Sequence, residues 1–240
     1  MKKLALVLMA MSLAVGSVSA ALPAMDNASN YGGTWNTGSN GGTGFGAWTI
    51  NDGDGGHYIG ATGLGSNTFG LFNTFTSTTT DAIRPFTGAL SPGQTFSINL
   101  GFSPFNSGGG AVGIDLMSGT NVSIELVTTG SGDWMLNDGG SNFSAGVAAA
   151  SNTPFSFSFT YNGGNSYSFT LTGSVGGTNF MSANSISGID NLRIFNFNQG
   201  PGANFGFDNL AIVPEPSSLA LVAGPALLGA WFFFRRRRSA

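Results

Sequence analysis

A single histidine, His57, and a single glutamate ahead of the last 27 residues, Glu125, narrow the chemistry open to this chain. His57 follows Gly55-Gly56 and reads as a surface loop residue. A Ser–His–Asp relay would need it beside a nucleophile, and no Gly-x-Ser-x-Gly elbow supplies one. Hydrolysis of a glycosidic bond needs two carboxyl groups held roughly 5–10 Å apart. Glu125 has no second acid two residues away on its own strand, which leaves an aspartate-only pair or Asp115 with Glu125 for that reaction. Asp52-Gly53-Asp54 places two carboxylates in a turn, a donor pair suited to calcium, which accepts oxygen ligands in adaptable geometry. The twelfth position counted from Asp52 is Gly63, so the loop is not an EF-hand. Flat aromatic faces that could stack on a sugar ring are offered by Trp48 and Trp134, with Tyr31, Trp35 and Tyr58 as further candidates. Thr76–Thr80 is a lone threonine run; it gives no extended flat array of the sort ice binding requires and reads as a linker-like loop. These residues predict a non-enzyme.

The background against which these groups sit is poor in charge. Between Ala21 and Val213 there are two arginines, Arg84 and Arg193, against nine aspartates and Glu125, a formal charge of −8. The whole-chain value of −3 hides this, because every other basic residue lies near a terminus. Without a basic stripe the domain has no means of gripping phosphates, which excludes a nucleic-acid partner. There is no cysteine, so neither disulfides nor thiol chemistry are available.

The elements that must hold these residues are strands. In Phe155–Tyr161 four aromatics alternate with Ser156, Ser158 and Thr160, the two-residue period of a half-buried strand. Ser166–Thr172 repeats it, and Asn162-Gly163-Gly164-Asn165 between them predicts a hairpin. Val122, Ile124 and Leu126 form a third strand with Glu125 on its other face. Further strands are expected at 95–102, 111–116, 191–197 and 204–212. Around Asp208-Asn209 the parity switches: Phe205 and Phe207 are odd, Leu210 and Ile212 even, which calls for a β-bulge. No stretch between the terminal segments has a 3.6-residue period. Glycine is abundant, 39 residues, yet the 21 phenylalanines fall mostly at strand positions, which argues for a packed core over disorder. Asn36–Gly44 reads as a flexible loop. The fold class is all-β, an antiparallel sandwich of jelly-roll type; a solenoid is the runner-up, with no fixed repeat to support it.

The two ends differ from this body. Lys2 and Lys3 precede the apolar run Leu4–Val15, and Val18-Ser19-Ala20 offers the small residues signal peptidase requires, so residues 1–20 are expected to be removed between Ala20 and Ala21. At the other end Pro214-Glu215-Pro216 precedes an apolar stretch, residues 217–234, and four arginines, Arg235, Arg236, Arg237 and Arg238. The stretch is at the short end for a membrane span, about 24–27 Å as a helix. Trp231 and three phenylalanines beside the arginines suit a membrane interface, and the arginines act as a stop-transfer block kept in the cytoplasm. This three-part tail, 214–240, resembles the PEP-CTERM sorting signal of Gram-negative bacteria, also known as an ice-binding-protein C-terminal motif. The resemblance implies recognition by an exosortase, processing near Pro214-Glu215-Pro216, transient residence in the inner membrane and delivery to the cell surface or the extracellular polysaccharide of a biofilm.

The ending Phe207-Asp208-Asn209-Leu210-Ala211-Ile212, echoed by Ile189-Asp190-Asn191-Leu192-Arg193-Ile194, resembles the closing strand of carbohydrate-binding jelly rolls and concanavalin-like sandwiches. That resemblance implies a structural calcium drawing on Asp208. The expected function is a non-catalytic structural or adhesive surface protein. A module binding extracellular polysaccharide, and a secreted glycoside hydrolase, are the alternatives.

Overall fold

The computed structural model describes residues 23–213 apart from 75–76, 104–108, 141 and 173–176. The signal-peptide cleavage point Ala20/Ala21, the sorting motif, the expected span at 217–234 and the arginine block lie outside the described residues, as does Thr76. In chain order the strands are β1 (Ala24–Asp26), β2 (Thr49–Asn51), β3 (Gly55–Thr62), β4 (Gly65–Asn73), β5 (Thr79–Pro85), β6 (Thr95–Ser103), β7 (Ala111–Ser118) and β8 (Asn121–Thr128). They continue with β9 (Asp133–Asn137), β10 (Asn142–Ala148), β11 (Phe155–Gly163), β12 (Ser166–Leu171), β13 (Gly177–Met181), β14 (Asn191–Phe197) and β15 (Asn204–Val213). Among the described residues the only helix is one 3-10 turn, Ala28–Tyr31, and no helix is long and apolar enough to cross a membrane.

These strands form two antiparallel sheets. Sheet I runs β13-β12-β11-β6-β15-β4-β3, with β1 also paired to β15; sheet II runs β10-β9-β8-β7-β14-β5-β2. The domain is thus the all-β antiparallel sandwich the alternation predicts. The last two strands are central: β15 lies between β4 and β6, and β14 between β5 and β7. The predicted hairpin is present, with Phe159 opposite Phe169 and Tyr161 opposite Tyr167. The predicted bulge is present as well. The β15–β6 register slips between Asp208 and Ala211, and Asn209 adopts a left-handed φ of 54°, which returns Leu210 and Ile212 to the core. The similar Asp190-Asn191 pair makes no bulge. There Asp190 accepts from the Gly119 amide (2.9 Å) at the mouth of β14.

Both sheets turn their alternate apolar residues inward, and the core is dominated by aromatics. Phe69 stacks on Phe207 (centroids 5.1 Å apart), and Phe143 stacks on Phe180 (5.3 Å). The segment 24–48 is fastened across this core by a buried polar knot. Arg84 and Asp26, both fully buried, form an ion pair (3.0 Å), and the Arg84 guanidinium lies 4.9 Å from the Trp48 ring. Arg84 Nη2 donates to the Gly41 carbonyl (2.8 Å) and the Tyr31 hydroxyl donates to Asp26 Oδ2 (2.6 Å). Burial first, then the Asp26 bond, pushes the Tyr31 hydroxyl up to about 12. The expectation of a flexible loop at Asn36–Gly44 is therefore corrected. Gly38 N–H donates to the Trp48 carbonyl (2.8 Å), Thr43 and Met25 exchange backbone bonds, and Arg84 holds Gly41.

Candidate functional site

The outer face of sheet II brings four charged residues together. Because side chains alternate along each strand, inward Leu192, Ile194, Ile114, Leu116, Ile124 and Leu126 commit the residues between them to the outside. Register then sets them in rows. Ile83, Arg193, Asp115, Glu125 and Asn137 stand directly opposite one another on β5, β14, β7, β8 and β9. Asp81, Phe195, Gly113, Val127 and Met135 form the adjacent row. One of the two arginines of the sandwich thus shares a face with three carboxylates.

Arg193 organises the centre. Its Nη1 lies 3.1 Å from Asp115 Oδ2, its Nη2 3.3 Å from Asp81 Oδ2, and its guanidinium 5.1 Å from the Phe195 ring. Phe195 lies flat because β7 has no side chain beneath it: a Cβ on Gly113 would come within 2.8 Å of that ring. Asp115 is 1 % exposed. Burial pushes its carboxyl up to about 7, with Arg193 pulling the other way and Glu125 adding to the rise. Burial also raises Asp81, against the pull of Arg193. Asp115 Oδ1 is buried and has no hydrogen-bond partner. Glu125 is only half-buried, and its contact to the Asn137 amide nitrogen is long, 3.4 Å. The face is therefore hydrogen-bonding in character: an arginine clamped by two acids, a buried carboxylate oxygen with spare capacity, and a loosely held neighbouring carboxylate.

The other residues singled out in the sequence lie elsewhere. Trp48 and Trp134, expected to present sugar-stacking faces, are both 1 % exposed, and that reading is corrected. Trp48 packs on Trp35 (5.1 Å) and donates its indole N–H to Tyr31 (2.9 Å). Trp134, the second residue of β9, packs inward against Phe155 (4.9 Å). Trp35 is buried too, and Tyr58 covers Gly70 on the outside of sheet I. The two calcium expectations fall at separate places, the Asp52-Gly53-Asp54 turn and Asp208 in the closing strand. Asp52 Oδ1 lies 2.6 Å from His57 Nδ1, Asp54 is exposed in the β2–β3 turn, and Asp208 Oδ1 accepts from the Ala28 amide (2.9 Å). Burial raises the Asp208 carboxyl, opposed by its backbone hydrogen bonds. Among the described residues no group of three or more His, Cys, Asp or Glu side chains could hold a metal. His57 is a half-buried strand residue packed edge-on against Trp35 (5.4 Å), not a loop residue.

Of this face, Asp115 and Glu125 are legible in the sequence as a pair, whereas Asp81, Arg193 and Asn137 are not marked out as site residues. Arg193 is within reach of pattern reading, since it alternates with Leu192 and Ile194 in a predicted strand. Asp81 is hidden because β5 carries no clear strand signal.

No protein-family model and no curated protein matches this sequence. Among solved structures the chain is similar to part of one named "Sialidase", at 11 % identity and TM-score 0.56 over 71 % of this chain and 17 % of that one. It is also similar to a mutant of the protein named HCR/D, at 14 % identity and TM-score 0.50 over 76 % of this chain and 47 % of that one. The chain spans about a sixth of the first and just under half of the second. At these identities the likeness is one of fold.

Proposed function

We propose that this is an exported, non-catalytic surface protein with a jelly-roll-like sandwich that binds extracellular polysaccharide through the outer face of sheet II. The observation that carries the reading is the Arg193–Asp115–Glu125–Asn137 row in an otherwise charge-poor domain. Saccharide hydroxyls are satisfied by fixed carboxylates, amides and guanidinium groups, and β-strands hold such groups at a rigid spacing. The fold-level likeness to a stretch of a sialidase adds a saccharide as the ligand class. Hydrolysis is disfavoured because the two carboxyl groups must act on the scissile bond from opposite sides, whereas Asp115 and Glu125 are direct cross-strand neighbours on one sheet face, with Asp115 Oδ2 held by Arg193. Retention of the 21–213 fragment on a panel of immobilised neutral, acidic and amino polysaccharides tests the binding claim. Arg193→Ala should weaken retention about tenfold or more, and retention on none of the panel, or reducing-sugar release from any of it, refutes the proposal.

Export rests on the signal peptide and on the PEP-CTERM-like tail, with signal peptidase and an exosortase as processing partners. Glu215→Ala in a Gram-negative host that carries an exosortase should leave an unprocessed, membrane-held precursor. Unchanged processing and an unchanged surface pool would sink the sorting claim.

A further inference from the structure

We infer that the saccharide recognised by this face carries a free amine, bound as an ammonium between Asp115 and Glu125; the inference rests on the polysaccharide-binding reading above. The geometry is that of a cation site one ligand short. Arg193 takes Asp115 Oδ2 from the β14 side, while Glu125 stands directly opposite Asp115 on β8. Asp115 Oδ1 is left buried with no partner. With the Asp115 carboxyl ionised, a buried oxygen without a donor costs free energy comparable to a lost hydrogen bond; a charge-assisted N–H donor removes that cost and so favours the ionised form over the protonated one. Arg193 directs its contacts to Asp81 and to Asp115 Oδ2, and none reaches Oδ1. Glu125 is the movable wall of the site: half-buried and held only by the long Asn137 contact, it can swing aside and close on an incoming group.

The charge of the ligand follows from that of the domain. Ten acids against two arginines in residues 21–213 repel polyanionic glycans and draw cationic ones. The surroundings of Asp115 agree. Asp81 and Glu125 are its acidic neighbours and Arg193 its one cation, so the cluster keeps an excess of carboxylates. A glucosamine unit supplies an ammonium for the two carboxylates and ring hydroxyls for Asn137 and Arg193, which a simple amine cannot do.

The test compares chemically matched ligands on the 21–213 fragment, which contains every described strand. Chito-oligosaccharides with free amines, their fully N-acetylated counterparts, neutral cello-oligosaccharides and spermine are titrated by calorimetry. The amine-bearing oligomer should bind at least about tenfold more tightly than its N-acetylated form. Glu125→Gln, at a half-exposed position that leaves the core intact, should abolish that preference, and Asp115→Asn should do the same. Equal binding of the acetylated and free-amine oligomers, or a preference that survives Glu125→Gln, overturns the inference. Spermine binding as well as the oligomer overturns its saccharide half. Neutral oligosaccharide binding lost in Arg193→Ala but indifferent to the amine keeps the polysaccharide reading and removes only this inference; no binding of any oligosaccharide removes both.

Discussion

Asp115 should impose a pH dependence on stability opposite to that of an ordinary salt-bridged carboxylate. Its folded-state pKa, about 7, lies above its ordinary value of 3.8. Between those values the folded domain keeps a proton that the unfolded chain has released. Stability therefore falls as pH rises from about 4 to about 7 and levels off beyond. A tenfold difference in proton affinity between the folded and unfolded chain is worth about 1.4 kcal/mol, so the effect amounts to a few kcal/mol at most. Asp115→Asn should flatten the melting temperature over this window without levelling it fully, because Asp81 is raised by the same cause. Identical pH slopes in variant and wild type, followed by differential scanning fluorimetry, would refute the assignment. Arg84 makes the complementary case, since it is buried with its partner Asp26. Arg84→Met leaves a buried carboxylate uncompensated and should cost about 3–5 kcal/mol in urea unfolding, part of it recovered by Arg84→Met/Asp26→Asn. If the double variant is no more stable than the single, the pair is not the cause. Neither Arg84 nor the tryptophans could be placed from sequence. A fully buried arginine is rare enough to be assigned outside by default. Trp134, preceded by Gly132-Asp133, and Trp48, two residues after Gly46, carry the marks of loop residues although both lie in the core.

Elements are legible where alternation is unbroken and hidden where glycine or a bulge interrupts it. β11, β12 and β14 begin where the alternation predicts, and β15 reaches Val213 across the predicted bulge. β3 and β4 contain few apolar residues at a constant parity, and neither stands out in the sequence. In β8 the predicted face is wrong at one end. Leu116 pairs with Ile124 but Met117 pairs with Val122, so Ser123 is the extra residue of a bulge. Val122 is thereby turned out, 41 % exposed, while Ser123 is buried with its hydroxyl donating to the Ser185 carbonyl (2.9 Å). The closing-strand bulge offers a direct test of backbone conformation. Asn209 occupies the left-handed region, which asparagine and glycine tolerate and β-branched residues do not. Asn209→Gly should be close to neutral and Asn209→Val should destabilise by about 1–3 kcal/mol. Equal stabilities in chemical denaturation would count against a bulge there.

At the scale of the whole domain, sheet order places the end of the chain at its centre. β14 and β15 each complete the middle of a sheet, so neither layer is closed until residues 191–213 are in place. Sequence patterning could suggest strands but not this insertion, because pairing partners such as β4 and β15 lie far apart along the chain. Such non-local closure predicts slow, late-committing folding. The beginning of the domain joins the same closing strand: Ala24 pairs with Ile212 and Asp26 with Leu210. The expected cleavage points, Ala20/Ala21 and Pro214-Glu215-Pro216, thus flank one antiparallel pair, and cutting at either removes no described strand. A fragment ending at Val213 should show one cooperative thermal transition and the tryptophan emission of a buried core. A fragment ending at Gly202 lacks β15 and with it Phe205, Phe207, Leu210 and Ile212 from the core; it should show neither property. A cooperative transition in the shorter fragment would mean that β15 is an accessory to the sandwich. Loss of the transition in the longer one would mean that residues beyond 213 are needed for folding, and processing at the Pro-Glu-Pro motif could then not release an intact domain.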